Sequence, residues 1–189
     1  MNEQPNLLNP QEPVLLELNT KVDLNDWRRW SFYYNLHSAF YWTLVFATGI
    51  LGALYVFLSI HTTTIKTTTL LLGICFLLYP FFLTLRLYMK PRQLLNKRKQ
   101  NGTYAESINY IFRENNLSAS TQAEQIAELS SYLYTVFGRV IETDHAFYMV
   151  LKSSPPKVYI IPKPQLSQEQ IQWLSGFLSH KFGSKFKSK

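Results

Sequence analysis

The residues best placed by type and spacing to do acid–base chemistry are Glu142, Asp144 and His145, which lie close together in the sequence. Asp144 and His145 separate two β-rich runs, RVIET and AFYMVLK, and Glu142 lies near the end of the first run. A hairpin turn favours polar residues here, so we predict a surface turn rather than an active site. The four histidines are far apart, no pair of them has zinc-binding spacing, and the chain has no glycine-rich phosphate loop. The sequence therefore predicts a protein without catalytic activity, metal or cofactor.

Two long runs without a charged residue indicate that the chain is anchored in a membrane. Residues 39–60 and residues 67–85 contain no charged side chain, and about 20 such residues suffice for a helix to cross a hydrocarbon core about 30 Å thick. We predict transmembrane helices at 39–60 and 67–89, joined by an extracytoplasmic turn at 61–66. The threonines of that turn would suit a strand, but a strand at a bilayer surface would leave backbone groups unpaired.

Small residues in both runs favour close packing of the two helices. Gly49 and Gly52 in the first run and Gly73 in the second would let the backbones approach each other. Pro80 predicts a kink in the second helix. No Asp, Glu, Lys or His lies within either run, so a pore or transport pathway fits the chain only as a homo-oligomer.

The distribution of basic residues predicts the orientation of this hairpin. The turn carries Lys66 alone, whereas eight basic residues flank the hairpin on the side of the two termini: Lys21, Arg28, Arg29, Lys90, Arg92, Lys97, Arg98 and Lys99. By the positive-inside rule both termini are cytoplasmic. Most of the net charge of +7 then lies beside anionic lipid, so we do not expect nucleic-acid binding.

Aromatic and basic side chains near the cytoplasmic boundary are the predicted interface anchors. These are Trp27, Arg28, Arg29, Trp30, Trp42, Arg86 and Tyr88. Asp23 as N-cap, with Asp26 at the N3 position, predicts a helix that runs from Leu24 into the first span without interruption. Its tryptophans either lie at the membrane interface or pack on the C-terminal domain, and the sequence leaves both interpretations open.

Around the hairpin, the composition divides the chain into further segments. We predict a disordered N-terminus at 1–12, a strand and juxtamembrane helix at 13–38, a basic linker at 90–102, a cytoplasmic domain at 103–183 and a basic tail at 184–189. Within the domain, strands are predicted at 108–113 and 117–121 and in the runs RVIET, AFYMVLK and KVYIIP. The run AEQIAELSSYLYTVFG, residues 123–138, has apolar residues at helical spacing and predicts a helix or helical turns.

The last predicted element is a helix with clear start signals. Ser167 and Gln170 have the spacing of a capping box, and Leu166 with Ile171 has that of a hydrophobic staple. The apolar stripe that follows should lie on the predicted sheet, and consists of Ile171, Leu174, Phe177, Leu178 and Phe182.

This order of elements resembles the YcxB-like family of bacterial membrane proteins. The resemblance covers the layout of residues 13–182 and rests on the runs YTVFGRVIETDHAFYMVL and VYIIPKPQLSQEQ. The matching positions are Tyr134, Glu142, Thr143, Phe147, Tyr148, Ile161, Pro162 and Lys163. One departure is Tyr134-Thr135, where the family often has Trp-Ser. The resemblance implies a membrane α+β fold: a two-helix transmembrane hairpin plus a small cytoplasmic PH-like β-domain, capped by a C-terminal helix and completed by the N-terminal strand. It also implies a location in a bacterial inner membrane. The family has no established activity.

The expected function is a non-enzymatic interaction module that binds a protein partner at the membrane. A toxin-immunity protein and a module that binds anionic membrane lipid are the alternatives. For lipid binding, the candidate contacts are Lys163, Lys181, Lys185, Lys187 and Lys189. The simpler interpretation of Lys163 is a strand end after Pro162, and that of the tail lysines is a solvated, fraying C-terminus.

Overall fold

The computed structural model describes residues 12–61, 67–101, 105–123, 127–154 and 157–188. It divides the chain into two compact units, which we call the helical unit and the β-domain. The helical unit is Trp27–Asn96, and the β-domain combines the residues up to Asp26 with those from Lys97 onward. The predicted disordered N-terminus, apart from Glu12, and the predicted turn, apart from His61, lie outside the described residues.

Helix α1, Leu24–Leu36, begins as the sequence predicts but ends earlier. The backbone N–H of Asp26 donates to the carboxylate of Asp23 at 2.8 Å, and that of Asp23 donates to the carboxylate of Asp26 at 3.1 Å. The prediction of one uninterrupted helix is wrong, because His37 and Ser38 separate α1 from α2, Ala39–His61. A side chain ends α1 without Pro or Gly: the Trp42 indole donates to the carbonyl of Leu36 at 2.8 Å.

Helices α2 and α3 pack against each other as antiparallel neighbours. A Cβ added to Gly52 would lie 3.0 Å from the backbone nitrogen of Leu77, and one added to Gly73 would lie 3.0 Å from that of Val56. Both glycines therefore permit the close approach predicted for them. The prediction is wrong for Gly49, where an added Cβ would meet nothing within 4 Å.

Helix α3 is longer than predicted, at Thr67–Gln100, and continues through Pro80 and Pro91. Residues 90–100 of the segment predicted as a basic linker are therefore the last part of this helix. Its Lys, Arg, Gln and Leu residues are good helix formers, so the change from apolar to basic composition does not change the secondary structure. Among the described residues, two helices are long and apolar enough to cross a membrane, over Ala39–His61 and Thr67–Lys97.

The β-domain contains two four-stranded sheets. The first has the strand order β1-β2-β3-β4 and is antiparallel throughout. Its strands are Val14–Thr20, Ala105–Arg113, Asn116–Ala123 and Ala127–Leu133. The second has the order β7-β6-β5-β8. Its strands, from β5 to β8, are Phe137–Glu142, Ala146–Leu151, Val158–Pro162 and Phe186–Ser188.

Strand β1 is separated in the sequence from the other strands of the domain by the helical unit, yet it belongs to the same sheet. It pairs antiparallel with β2, from Val14 opposite Arg113 to Thr20 opposite Ile108. The amide of Asn109 also donates to the Glu17 carboxylate at 2.7 Å, over a separation of 92 residues. The N-terminal strand therefore completes the first sheet, as expected, and the segment from residue 103 onward is not the whole domain.

The prediction of a helix over residues 123–138 is wrong for most of its length. Strand β4 pairs with β3 from Asn116 opposite Leu133 to Gln122 opposite Ala127. Of the described residues in this segment, Tyr134–Val136 alone are helical, as a single 3₁₀ turn. The apolar spacing matched a helical period, but a full ladder of backbone hydrogen bonds with β3 was available to this segment. Tertiary pairing of this kind overrides local periodicity.

The core of the domain includes residues from both sheets and from helix α4, Gln168–Phe182. The predicted capping box is confirmed: the backbone N–H of Gln170 donates to Ser167 Oγ at 3.2 Å, and that of Ser167 donates to Gln170 Oε1 at 2.9 Å. The predicted apolar stripe also packs on the core. Its fully buried neighbours from the two sheets include Phe112, Leu117, Phe137, Phe147 and Ile161.

Candidate interaction surface

A charged cluster lies where β5, β7 and α4 meet. Glu142 is the last residue of β5, and Lys163 follows the last residue of β7. The Lys163 ammonium lies 2.8 Å from Glu142 Oε1, and the Ser175 hydroxyl of α4 donates to Glu142 Oε2 at 2.8 Å. Both charged side chains are largely buried, at 15% exposure for Lys163 and 10% for Glu142. The pair therefore joins the second sheet to the C-terminal helix.

The electrostatics of this cluster keep Glu142 ionised. Burial by itself would raise the pKa of its carboxyl group. Hydrogen bonds from Lys163 and Ser175, and the positive charge of Lys163, outweigh that effect and lower the pKa below its ordinary value. Each carboxylate oxygen therefore accepts a hydrogen bond from within the domain.

Of the three residues predicted to form a surface turn, Asp144 and His145 do so and Glu142 does not. Asp144 and His145 are exposed. Thr143 Oγ1 closes the turn by accepting from the backbone N–H of Ala146 at 3.2 Å. Glu142 was expected to belong to this solvated turn and does not, because its side chain lies in the protein and pairs with Lys163. A partner 21 residues away decides its role.

Several positions that carry the family resemblance have structural roles in the β-domain. The Lys163 ammonium lies 4.9 Å from the centroid of the Phe147 ring. Tyr134 is buried, and its hydroxyl donates to the carbonyl of Arg113 at 2.9 Å. Burial raises the pKa of the Tyr134 phenol, which therefore stays a neutral donor. The Glu-Thr and Ile-Pro-Lys motifs thus describe how the second sheet holds the C-terminal helix.

The tail predicted at 184–189 is not a free extension. Gly183–Lys185 form a 3₁₀ turn, and β8 then pairs in parallel with β5: Val140 opposite Phe186, Ile141 opposite Lys187 and Glu142 opposite Ser188. Phe186 is half-buried and packs against the core. An apolar residue beside an open strand edge explains why this segment is ordered. The run KFK, with Phe186 between two lysines, is the sequence signal that could have indicated it.

The lysines predicted to contact lipid are differently placed. Lys163 has an internal partner in Glu142. Of the remaining lysines in this predicted set, Lys181 lies near the end of α4, with its ammonium 5.9 Å from the centroid of the Phe177 ring. Lys185 lies in the 3₁₀ turn and Lys187 lies in β8, and both are exposed. Lys189 lies outside the described residues. Lipid contact by these residues stays a prediction.

The predicted interface anchors all lie in the helical unit. The Arg28 guanidinium lies 3.9 Å above the ring of Tyr88, a cation–π contact that joins α1 to α3. Trp30 is within ring-contact distance of Tyr33 and Tyr34 on α1. Other predicted anchors are exposed, namely Arg29, Trp42 and Arg86. Trp27 is partly buried.

No family model, curated protein or solved structure matches the chain. The YcxB-like resemblance therefore stays a prediction. What the fold defines is a chain with two long apolar helices, followed by a small β-rich domain that ends in a helix and a short strand. Among the described residues, no group of three or more His, Cys, Asp or Glu side chains could hold a metal ion.

Proposed function

We propose that the chain is a two-pass membrane protein whose PH-like β-domain lies in the bacterial cytoplasm and binds a protein partner at the membrane, without catalysing a reaction. The observation that carries the proposal is the pairing of β1 with β2. These strands precede and follow the two apolar helices, so both ends of the helix pair lead into one folded domain. A hairpin that crosses the membrane twice meets this requirement, whereas a single crossing does not.

The outer surface of the helix pair supports the membrane part of the proposal. Large apolar side chains on α2 and α3 are exposed, for example Phe46 at 64%, Ile50 at 68% and Phe81 at 65%. In water such a surface would be strongly unfavourable, whereas in lipid it needs no cover. The basic residues before α2 and in the second half of α3 favour the cytoplasmic side for the domain.

The interaction role is supported by how the domain uses its polar groups. The ion pair of Glu142 and Lys163 is used to bind α4, through the hydrogen bond from Ser175 to Glu142. The remaining features are sheet edges and an exposed surface, which are the parts of a small β-domain that recognise partners. Exposed apolar residues on that surface include Leu133 and Val136, at 38% and 39%.

Cysteine labelling in intact cells tests the topology. In a background with Cys75→Ser, a cysteine at position 63 should react with an impermeant maleimide from outside the cell. A cysteine at position 144, in the exposed turn after β5, should react only after lysis. The reverse pattern would overturn the cytoplasmic placement, and labelling of both positions from outside would overturn the spanning hairpin.

Photo-crosslinking in the same membranes tests the interaction. A photoreactive residue at position 136, on the exposed surface of the β-domain, should give a discrete product of higher mass after irradiation. The matched control is position 50, which is exposed on α2 and should give lipid adducts without such a product. Absence of any protein product from position 136 and from position 133 would contradict partner binding by this surface.

A further inference from the structure

The edge of β5 is covered by a very short strand from the end of the described chain. Strand β8 makes three residue pairings with β5 and runs parallel to it, whereas the other strand pairs of the domain are antiparallel. It follows Gly183, whose φ of +49° is a conformation that residues with a Cβ rarely adopt. A glycine at this position allows the chain to turn from α4 back to β5.

Few interactions hold β8 in place. Phe186 packs on the core, and Ser188 contributes a hydrogen bond to the Glu142 carboxylate. Lys185 and Lys187 are both exposed and contribute no apolar contact of this kind. The resident strand is therefore attached through one apolar side chain, one hydrogen bond from Ser188 and a short backbone ladder.

Most of the charges around this edge are basic, because the one acidic side chain of β5, Glu142, is already paired with Lys163. Arg139, exposed on β5 directly before Val140, and Lys181 near the end of α4 are both basic. Strand β8 and the turn before it add Lys185 and Lys187 to the same region. Like charges weaken each other's binding, so a segment with acidic residues at these two positions would be the better electrostatic match.

We propose that the β5 edge is the peptide-binding site of the β-domain and that β8 covers it in the free protein. The partner supplies an extended acidic segment, with a large apolar residue in place of Phe186, and displaces β8. Strand addition of this kind obtains affinity from backbone hydrogen bonds and specificity from the side-chain pockets. The inference rests on the proposed function and names the surface and the chemistry of the partner.

Peptide binding to two forms of the purified protein in detergent tests this proposal. One form is the full chain, and the other ends at Gly183 and so lacks β8. The probe is a fluorescent heptapeptide with the sequence of residues 183–189 and glutamate in place of each lysine, GSEFESE. We expect it to bind the shortened chain about tenfold more tightly than the full chain, because β8 competes for the same edge.

Two further peptides test the chemistry. The unaltered sequence, GSKFKSK, should bind the shortened chain more weakly than the acidic probe. An acidic peptide with serine in place of its phenylalanine should bind it about tenfold more weakly. If removing β8 unfolds the domain, the full-length variant Phe186→Ser is the replacement, since it loosens β8 without shortening the chain.

Several results would overturn the proposal. One is equal binding of the acidic probe to the full and the shortened chain, and another is that the probe binds neither folded form. A third is that the acidic peptide without phenylalanine binds the shortened chain as tightly as the acidic probe. Soluble short-chain phosphatidylglycerol is the probe for the other class of ligand. If it binds the full chain while the acidic peptide binds neither form, anionic lipid is the ligand of these lysines. Failure here would leave the labelling and crosslinking tests of the proposed function unaffected.

Discussion

The helical unit and the β-domain place the same kind of side chain in opposite positions. In the β-domain Phe112, Phe137 and Phe147 are 0% exposed, whereas in the helical unit Phe40 and Phe46 are 77% and 64% exposed. Burial from water drives the first arrangement. The second is favourable in a solvent as apolar as the side chains themselves, which fits the membrane location proposed above. A mean hydropathy of −0.09 for the whole chain hides this division.

The two units also satisfy their polar groups differently. In α2, the Thr48 hydroxyl donates to the carbonyl of Leu44 at 2.8 Å and the Ser59 hydroxyl donates to that of Tyr55 at 2.7 Å. Each of these bonds lies within one turn of a single helix. In the β-domain, the buried Tyr110 hydroxyl donates to the carbonyl of Ile160, 50 residues away. These two buried hydroxyls of the helical unit find their partners locally, whereas the buried Tyr110 of the β-domain depends on a partner distant in the sequence.

The largest expected effect comes from removing a phenylalanine from the core of the β-domain, and the comparison is with an exposed phenylalanine of the helical unit. Phe137→Ala should lower the free energy of unfolding of the β-domain by about 3–5 kcal/mol, because it leaves a cavity in the core. The matched change Phe40→Ala, on the exposed surface of α2, should leave stability nearly unchanged. Thermal and urea unfolding in detergent measure both. A large loss from Phe40→Ala would break the comparison, since it would mean that this surface is packed against protein.

The ion pair of the β-domain gives the next largest effect. Lys163→Met leaves the Glu142 carboxylate without its charged donor and should lower the free energy of unfolding by about 1.5–3 kcal/mol at neutral pH. The control is Lys157→Met, an exposed lysine near the start of β7. Urea unfolding at several pH values measures the difference between each variant and the wild type.

The pH dependence of that difference follows from the lowered pKa of Glu142. A group whose pKa is lower in the folded state stabilises the protein above its ordinary value, about 4.3 for glutamate, and this contribution is lost as the pH falls through the folded-state pKa. Wild type and Lys163→Met should therefore converge in acid. An undiminished difference at about pH 2 would mean that Lys163 stabilises the domain by packing alone.

The smallest effect tests the helix pair and concerns a single methyl group. Gly73→Ala places a Cβ 3.0 Å from the backbone nitrogen of Val56 and should destabilise the pair by about 1–3 kcal/mol, because the helices must separate. Gly49→Ala meets open space and should cause no loss. The rings of Tyr55 and Phe76 stack with their centroids 5.9 Å apart. Disulfide crosslinking between cysteines introduced at these two positions would report the separation of the helices. Equal crosslinking in both variants would contradict the close approach.

Several elements could be predicted because their signals lie within a few residues. The uncharged runs predicted α2 and α3, and the Ser167–Gln170 spacing predicted the start of α4. The end of α1 at Leu36 could not be predicted in the same way, since the side chain that ends it, Trp42, belongs to the next helix. Gly49 and Gly52 look alike in the sequence, and only the packing of α3 distinguishes them.

By itself, the sequence determined the two apolar helices, the capped C-terminal helix and most of the strands, because each depends on composition, periodicity or caps among neighbouring residues. Tertiary structure alone decided that residues 127–133 form a strand, that Glu142 pairs with Lys163 and that Lys187 lies in an ordered β8. Each of these outcomes depends on a backbone edge or a charge supplied from elsewhere in the chain. Such partners compete with local preference only once the fold has brought them together.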